Sequence, residues 1–506
     1  MERYAEIDKH KQAVLEAVAR LALQGKLKAE IDGLPYILVD RDGPVYRCCI
    51  YHERAILAER IRLAMGLDRR KKPEQELERL SDVVESALAL ERIEDPVVVV
   101  IDSACEACPI DRFMVTDACR NCTAQACQSA CPRQAIVIAR QRAYIDQDRC
   151  IECGKCAQVC PFHAIVEVTR PCMRACGVGA IQVSRDHKAI IDYRKCVSCG
   201  HCIRACPFGA VAEKSGIVQL ISMLKKDQPV YAIVAPSFIG QFGRGVTPEA
   251  LRTAFKTLGF TDMIEVAQGA DLVAYEESRE FIEQVPATKP FVMNTCCPAF
   301  RTLVEKQHPK LIPNLFDSLS PMVVTGQIIK SEHPEARVVF IGPCVAKKME
   351  ALQGEGREMI EGVLTFEEMM AVFRAADIDV TQVKESKTEM FASRTGRLFA
   401  RAGGVTEALI STMKKMQPEI KVEPVRAEGL SNCEKLLRTA QAGRLQGNLI
   451  EGMACPGGCV GGPGALIKNV VGAKLVNDYS QKSPHFYTLD NPCLKEWDEK
   501  LNRPSS

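Results

Sequence analysis

The chain has 506 residues, with 66 basic against 64 acidic side chains and a formal net charge of +2. That balance excludes a composition-level case for nucleic acid or an anionic membrane, and the length with 47% apolar residues predicts two to four packed domains. No apolar run approaches the ~20 residues of a membrane helix, and the charged amphipathic start MERYAEIDKHKQAVLEAV lacks the apolar centre of a secretory signal, so a cytoplasmic protein is expected.

The 25 cysteines set the class: eighteen lie at or before Cys206, and sixteen of those fall between Cys105 and Cys206. Clustering of this kind points to metal ligation or redox chemistry rather than a disulfide scaffold.

In chain order, residues 1–95 read as a helical domain, with apolar positions three and four apart near 5–23, 51–65 and 74–90. LPYILV, between the first two, reads as a short extended piece. Cys48 and Cys49 are adjacent, do not fit C-x2-C chelation, and read as structural or incidental. RRKKPEQELER reads as a solvated linker and helix start, with a partner-docking face as the lesser alternative.

Residues 96–212 are cysteine-dense. Cys150-x2-Cys153-x2-Cys156-x3-Cys160-Pro161 and Cys196-x2-Cys199-x2-Cys202-x3-Cys206-Pro207 are two copies of the bacterial ferredoxin run. At this spacing three thiolates hold one 4Fe–4S cubane and the fourth crosses to a neighbouring cluster. Zinc pairs lack the third Cys and the terminal Cys-Pro.

Cys119-x2-Cys122-x4-Cys127-x3-Cys131-Pro132 is a stretched third copy. The crossing rule then gives Cys119, Cys122, Cys127 and Cys160 to one cluster, and Cys150, Cys153, Cys156 and Cys131 to the next. Cys172-x3-Cys176 is only the end of a run, and Cys105-x2-Cys108 only a beginning. Read as halves of one motif with a ferredoxin unit inserted between them, they complete two more sets: Cys196, Cys199, Cys202 and Cys176, and Cys105, Cys108, Cys172 and Cys206. The sixteen cysteines close into four accessory clusters. With every iron site filled by cysteine these form a wire, and the chemistry lies elsewhere.

From 213 to 485 apolar runs (230–234, 291–293, 337–341, 449–453) alternate with helical stretches, which predicts α/β layers with parallel strands. Residues 486–506 read as a tail. The expected architecture is therefore a multidomain α/β plus α+β chain: an N-terminal helical domain, a nested ferredoxin-like domain and a two-lobed α/β catalytic domain. Three motifs each follow an apolar run: NTCCPAF (294–300), GPCVAKKME (342–350) and EGMACPGGCVGGPG (451–464). Ligand groups collect at the carboxyl ends of parallel strands, so these thiols are expected to converge. GGCVGGPG lacks the strand–GxGxxG–helix context of a dinucleotide site.

These three motifs resemble the signature triplet of the [FeFe]-hydrogenases. The resemblance implies an H-cluster: a 4Fe–4S cubane held by Cys297, Cys344, Cys455 and Cys459, with Cys459 bridging to a two-iron centre bearing CO, CN and an azadithiolate. It implies Cys296 as the proton-relay thiol, Lys347 and Ser237 as contacts to cyanide, and Met453 packed beside the two-iron centre. Glu277 and Glu280, three apart on one helical face, match the two relay glutamates. The relay serine aligns near Phe316, which carries no proton, leaving Asp317, Ser318 or water in that role. Phe300, Ala299 and Gly342 depart from the usual Trp, Gly and Met, and Ala402 and Thr406 are also altered, which suggests the divergent group B branch.

The resemblance further implies interconversion of H2 with protons and electrons. Its expected partners are ferredoxin or flavodoxin as carrier and dedicated maturation proteins, in an anaerobic cytoplasm. A hydrogen sensor and an iron–sulfur assembly factor lacking the two-iron centre are the alternatives. Cys433 reads as a small core residue on a helix, and Cys493 carries no assignment.

Overall fold

In the computed structural model the described residues are 6–41, 46–70, 78–105, 108, 112–385 and 391–501. Most of the linker RRKKPEQELER lies outside them.

Two helices, α1 (Glu6–Gln24) and α2 (Ile50–Ala64), are the longest elements described in the N-terminal region. LPYILV is not extended: Leu34–Leu38 is a helical turn. Pro35 sits at its start, where its fixed φ suits a helix and its missing N–H costs nothing. Tyr36 and Ile37 face solvent while Leu34 is buried, so the apolar run does not mark a buried strand. Of the expected helix at 74–90, residues 74–77 lie outside the described residues, and the rest forms a 3-10 turn Ser81–Val83 leading into Val84–Ala89.

The cysteine-dense segment is built from short antiparallel pairs that enclose one another. Ile136–Ala139 pairs with Arg142–Ile145, inside Phe113–Val115 with Ile165–Glu167. Val98–Val100 with Val211–Glu213 closes around these and around Ile181–Val183 with Ala189–Ile191.

Seven strands then form two parallel sheets: β1 (Val230–Val234), β2 (Asp262–Glu265), β3 (Val292–Met293), β4 (Arg337–Gly342), β5 (Gly362–Thr365), β6 (Pro424–Glu428) and β7 (Leu449–Met453). One sheet has the order β2-β1-β4-β5 and the other β3-β7-β6. All neighbours in both sheets are parallel. β1 and β4 are near-continuous Val/Ile runs, the pattern of strands covered on both faces.

The N-terminal helices are not appended to this fold but share its core. Val14, Val18, Leu21, Leu57 and Ile61 are buried in one cluster with Ala232, Ile233, Val339 and Phe366. Lys11 pins the junction, its Nζ 2.7 Å from Glu213 and 2.6 Å from Glu367. Burial alone would depress this ammonium, but the two carboxylates outweigh it and hold Lys11 charged. At the other end, the expected tail carries a helix, Leu494–Leu501, whose Leu494 and Trp497 are buried.

Candidate active site and accessory thiol sets

β3 and β4 end where NTCCPAF and GPCVAKKME begin, β7 runs into EGMACPGGCVGGPG, and β1 ends just before Ala235–Ser237, so their carboxyl ends deliver the chemistry. One cavity of about 840 Å³, counting its open mouth, lies there between the two sheets. Cys296, Cys297, Cys344, Cys455, Cys459, Lys347 and Met453 all line it. The rest of the wall is largely apolar, including Ala235, Pro236, Pro298, Pro321, Met322 and Phe399.

Burial pushes the Cys344 thiol up to about 11 and Cys459 to about 12, and neighbouring thiolates add to the shift. Burial also raises Cys455 and Cys296 well above the usual thiol range, helped by neighbouring thiolates and, at Cys296, by Glu277. Thiols so placed ionise when a metal takes the proton's place.

Two glycines let chain segments pack closely here, Gly458 on the cavity wall and Gly452 against Phe300. Gly458 has φ +85°, and a Cβ there would meet Ala402 N at 2.5 Å; a Cβ on Gly452 would strike the Phe300 ring at 2.2 Å. Phe300 therefore fills space that only a glycine opposite leaves free.

The adjacent lysines of PCVAKK diverge. Lys347 faces the cavity with Nζ 2.6 Å from Glu350. Burial opposes its charge, but Glu350 and the thiolates of Cys344 and Cys296 outweigh it and keep the amine protonated. Lys348 turns away into a buried pair with Glu368 at 2.7 Å and donates to Lys214 O at 2.8 Å. Glu368 also closes the capping box of the helix Phe366–Ala375 with Thr365, so Lys348 serves the fold.

Ser237 follows the two cavity-lining residues Ala235 and Pro236. It is fully buried, and its hydroxyl has no hydrogen-bond partner among the described residues. An orphaned hydroxyl beside an apolar, thiol-lined cavity fits a bound group with an acceptor. The donor set as a whole (thiols, one ammonium, one thioether) suits an iron–sulfur centre with anionic diatomic ligands.

A polar path leads away from Cys296. Glu277 and Glu280 lie on the helix Ala267–Gln284, whose Ala270 lines the cavity. Burial pushes the Glu277 carboxyl up to about 8, helped by Glu280 and Glu276 and opposed by a hydrogen bond from Ser318. Ser318 Oγ donates to Glu277 Oε1 at 2.7 Å and lies 3.2 Å from Thr295 Oγ1. Glu280 is half-buried, accepts from Asp317 N at 3.0 Å and pairs with Lys289 at 3.2 Å. Phe316 is buried in the apolar core with Val292 and Met453 and offers no group that carries a proton.

Asn294 was not singled out by the sequence. Its amide donates to Cys296 Sγ at 3.2 Å, and its carbonyl accepts from Gly452 N at 2.7 Å. It thereby orients the thiol and ties NTCC to β7. Its place two residues before Cys296, at the end of a strand, was the available signal.

Electrostatic proximity links several of the accessory cysteines. Cys127 is within electrostatic reach of Cys160 and Cys122, and Cys156 of Cys150 and Cys131. Cys172 feels Cys206, Cys105 and Cys108, while Cys196 feels Cys176 and Cys202 feels Cys199, Cys196 and Cys176. Cys119 packs in the small core with Cys127, Cys131 and Cys156. Cys153 is exposed at this edge.

Local geometry repeats across all four half-motifs. Cys131, Cys160, Cys176 and Cys206 each accept from the backbone N–H four residues on, at 3.2 to 3.4 Å. Gln134, His163, Gly179 and Gly209, three residues on, all have φ between +48° and +61°. The interrupted motif thus folds like the complete ones, and such N–H···S bonds tune a cluster's potential.

The family described as iron only hydrogenase large subunit, C-terminal domain, matches residues 228–463. The chain is [FeFe]-hydrogenase-like. A 4Fe-4S binding domain matches 143–166 and a 4Fe-4S dicluster domain 169–210, so this hydrogenase-like chain is an iron–sulfur protein. It is 27% identical over 402 residues to iron hydrogenase 1 of Clostridium pasteurianum, covering 69% of each chain. It is 28% identical to the periplasmic [Fe] hydrogenase large subunit of Nitratidesulfovibrio vulgaris, over 63% of this chain and 85% of that one. A shorter match, 33% identical over 97 residues, is to the cytosolic Fe-S cluster assembly factor NAR1 of Kluyveromyces lactis, covering 19% of this chain and 21% of that one. Low identity throughout marks this [FeFe]-hydrogenase-like chain as divergent.

Proposed function

We propose that this chain is a catalytic [FeFe]-hydrogenase interconverting H2 with protons and electrons. Residues 213–485 form its catalytic domain and 96–212 carry four accessory 4Fe–4S clusters. The observation that carries the reading is the convergence of five thiols, Lys347 and Met453 on one apolar cavity.

Cys297, Cys344, Cys455 and Cys459 would hold the cubane, and Lys347, Ser237 and Met453 would seat a two-iron centre joined through Cys459. When bound, that centre supplies the open low-valent metal at which H2 is formed or split.

The chain's own residues handle the proton. Cys296, oriented by Asn294, holds it at the cavity wall. Glu277 is neutral at pH 7 because burial raises its carboxyl to about 8, so it can both give and take a proton. Ser318 supplies the hydroxyl that Phe316 lacks, and Glu280 delivers to the half-buried end of the path.

Electrons would enter through the accessory sets. Cys199, of the proposed Cys176, Cys196, Cys199 and Cys202 set, lines the same cavity as Cys344 and Cys455, so these four residues would hold the accessory cluster nearest the catalytic centre. Cys202 lies within reach of Cys172, the next set outward. A soluble ferredoxin or flavodoxin in an anaerobic cytoplasm is the proposed carrier, with maturation proteins installing the two-iron centre.

The assembly-factor reading is favoured by the local NAR1 match, and retention of Lys347, Met453 and the four proposed cubane cysteines, Cys297, Cys344, Cys455 and Cys459, weighs against it. The test is H2 evolution from reduced methyl viologen by protein matured anaerobically. Turnover supports the hydrogenase. A loaded two-iron centre with negligible turnover points to a sensor, and failure to load one points to the assembly factor.

A further inference from the structure

The Cys48–Cys49 pair has no part in the proposed activity, yet both thiols are solvent-exposed. Cys48 Sγ lies 3.2 Å from His52 Nδ1 and 3.9 Å from Cys49 Sγ. His52 Nε2 lies 2.9 Å from Ser103 O. A carbonyl only accepts, so Nε2 carries the proton and the lone pair of Nδ1 faces the thiol. A thiol, a base and a third group fixing that base form the arrangement of an activated nucleophile. Cys49 adds a second contribution. It stands immediately before α2, a helix of fifteen residues, whose N-terminal dipole favours a thiolate.

We propose that Cys48, Cys49 and His52 form a peroxide-reactive thiol site. The pair passes one proton to His52, and the thiolate left behind attacks one oxygen of a hydroperoxide. The S–O bond forms as the O–O bond breaks. The sulfur is oxidised by two electrons to a sulfenic acid, and the other oxygen leaves as water or an alcohol, taking the proton from His52. The neighbouring thiol does not resolve this product to a disulfide. Adjacent Cα atoms stand about 3.8 Å apart, inside the roughly 4.4 Å lower limit of ordinary disulfides.

The site is placed where its state bears on the accessory thiols. Ser103, held by His52, precedes Cys105 by two residues, and Arg47 donates to Ala104 O and Phe208 O at 3.3 and 3.2 Å. The residues flanking the pair therefore grip the backbone beside Cys105 and Cys206.

The test uses the holoprotein under anaerobic conditions, one equivalent of hydrogen peroxide, dimedone as trap and N-acetylcysteine as unactivated competitor. Mass spectrometry reads the peptide 48–54, which arginine cleavage at Arg47 and Arg54 releases. The expected result is a dimedone adduct on this peptide forming at least tenfold faster than on N-acetylcysteine, and His52→Gln reducing that advantage to threefold or less. Wild-type labelling no faster than the competitor overturns the proposal, and needs no variant. Fast labelling that His52→Gln leaves unchanged, or a 48–49 disulfide in place of the adduct, overturns it as well. None of these readouts depends on H2 turnover.

Discussion

Ser318 donates a 2.7 Å hydrogen bond to the buried carboxyl of Glu277, two residues beyond the phenylalanine that stands at the expected relay-serine position. Phe316 packs inward with Val292 and Met453, and the chain that follows it brings Ser318 to the same acid. A hydroxyl therefore still reaches Glu277, two residues further along the chain. Ser318→Ala should therefore lower H2 turnover by about a hundredfold, the low end of what a positioned acid–base group contributes, with cluster spectra unchanged. Turnover within threefold of wild type would remove Ser318 from the path.

Glu277 sets a pH dependence of stability. Its carboxyl is raised from the model-compound value of 4.5 to about 8 by burial. Between those values the folded state binds the proton more tightly than the unfolded state, so this group's contribution declines as pH rises from about 5 through 8. Glu277→Gln keeps the neutral shape without the titration. Thermal unfolding of the variant should gain on wild type between pH 5 and pH 8.5, while H2 turnover falls. A constant difference in melting temperature across that range would contradict the assignment.

Lys347 and Lys348 should fail in opposite ways. Lys347→Gln leaves the fold intact but removes the ammonium from the cavity, so the two-iron infrared bands should be lost while the 4Fe–4S signals persist. Lys348→Met strands Glu368 as a buried carboxylate, a loss of about 3–5 kcal/mol, visible as a lower unfolding midpoint in urea before any change at the cavity. The reverse pattern would mean the two lysines have been assigned the wrong way round.

Gly458→Ala puts a methyl group where Ala402 N already stands, on a residue at φ +85°. The strain of a non-glycine there is about 1–3 kcal/mol, and the loop it distorts carries Cys455 and Cys459. Iron content per chain should fall in the variant after identical maturation, and unchanged iron would show that the loop tolerates the side chain.

Much of this was legible in the sequence because period and spacing are local. The runs at 230–234 and 449–453 coincide with β1 and β7, and the motif cysteines lie just past strand ends, where parallel sheets place ligands. LPYILV failed because apolar content alone does not separate a buried strand from a helical turn opened by proline. The turning of Lys348 away from Lys347, the role of Asn294 and the choice of Ser318 over Asp317 were beyond reach for a different reason. Which way each side chain points depends on how two sheets and a helix pack, and no local pattern records that. The Cys48–His52–Ser103 contact likewise joins segments about fifty residues apart, so an adjacent cysteine pair read as incidental.

The most direct test of the central claim is an infrared spectrum of anaerobically matured wild type and Cys296→Ala, each paired with its H2 evolution rate. The account predicts CO and CN bands in both proteins, with turnover in wild type and at least a hundredfold loss in the variant. Wild-type protein that shows no such bands after competent maturation would contradict it, because the cavity of Cys297, Cys344, Cys455 and Cys459 would then hold no two-iron centre.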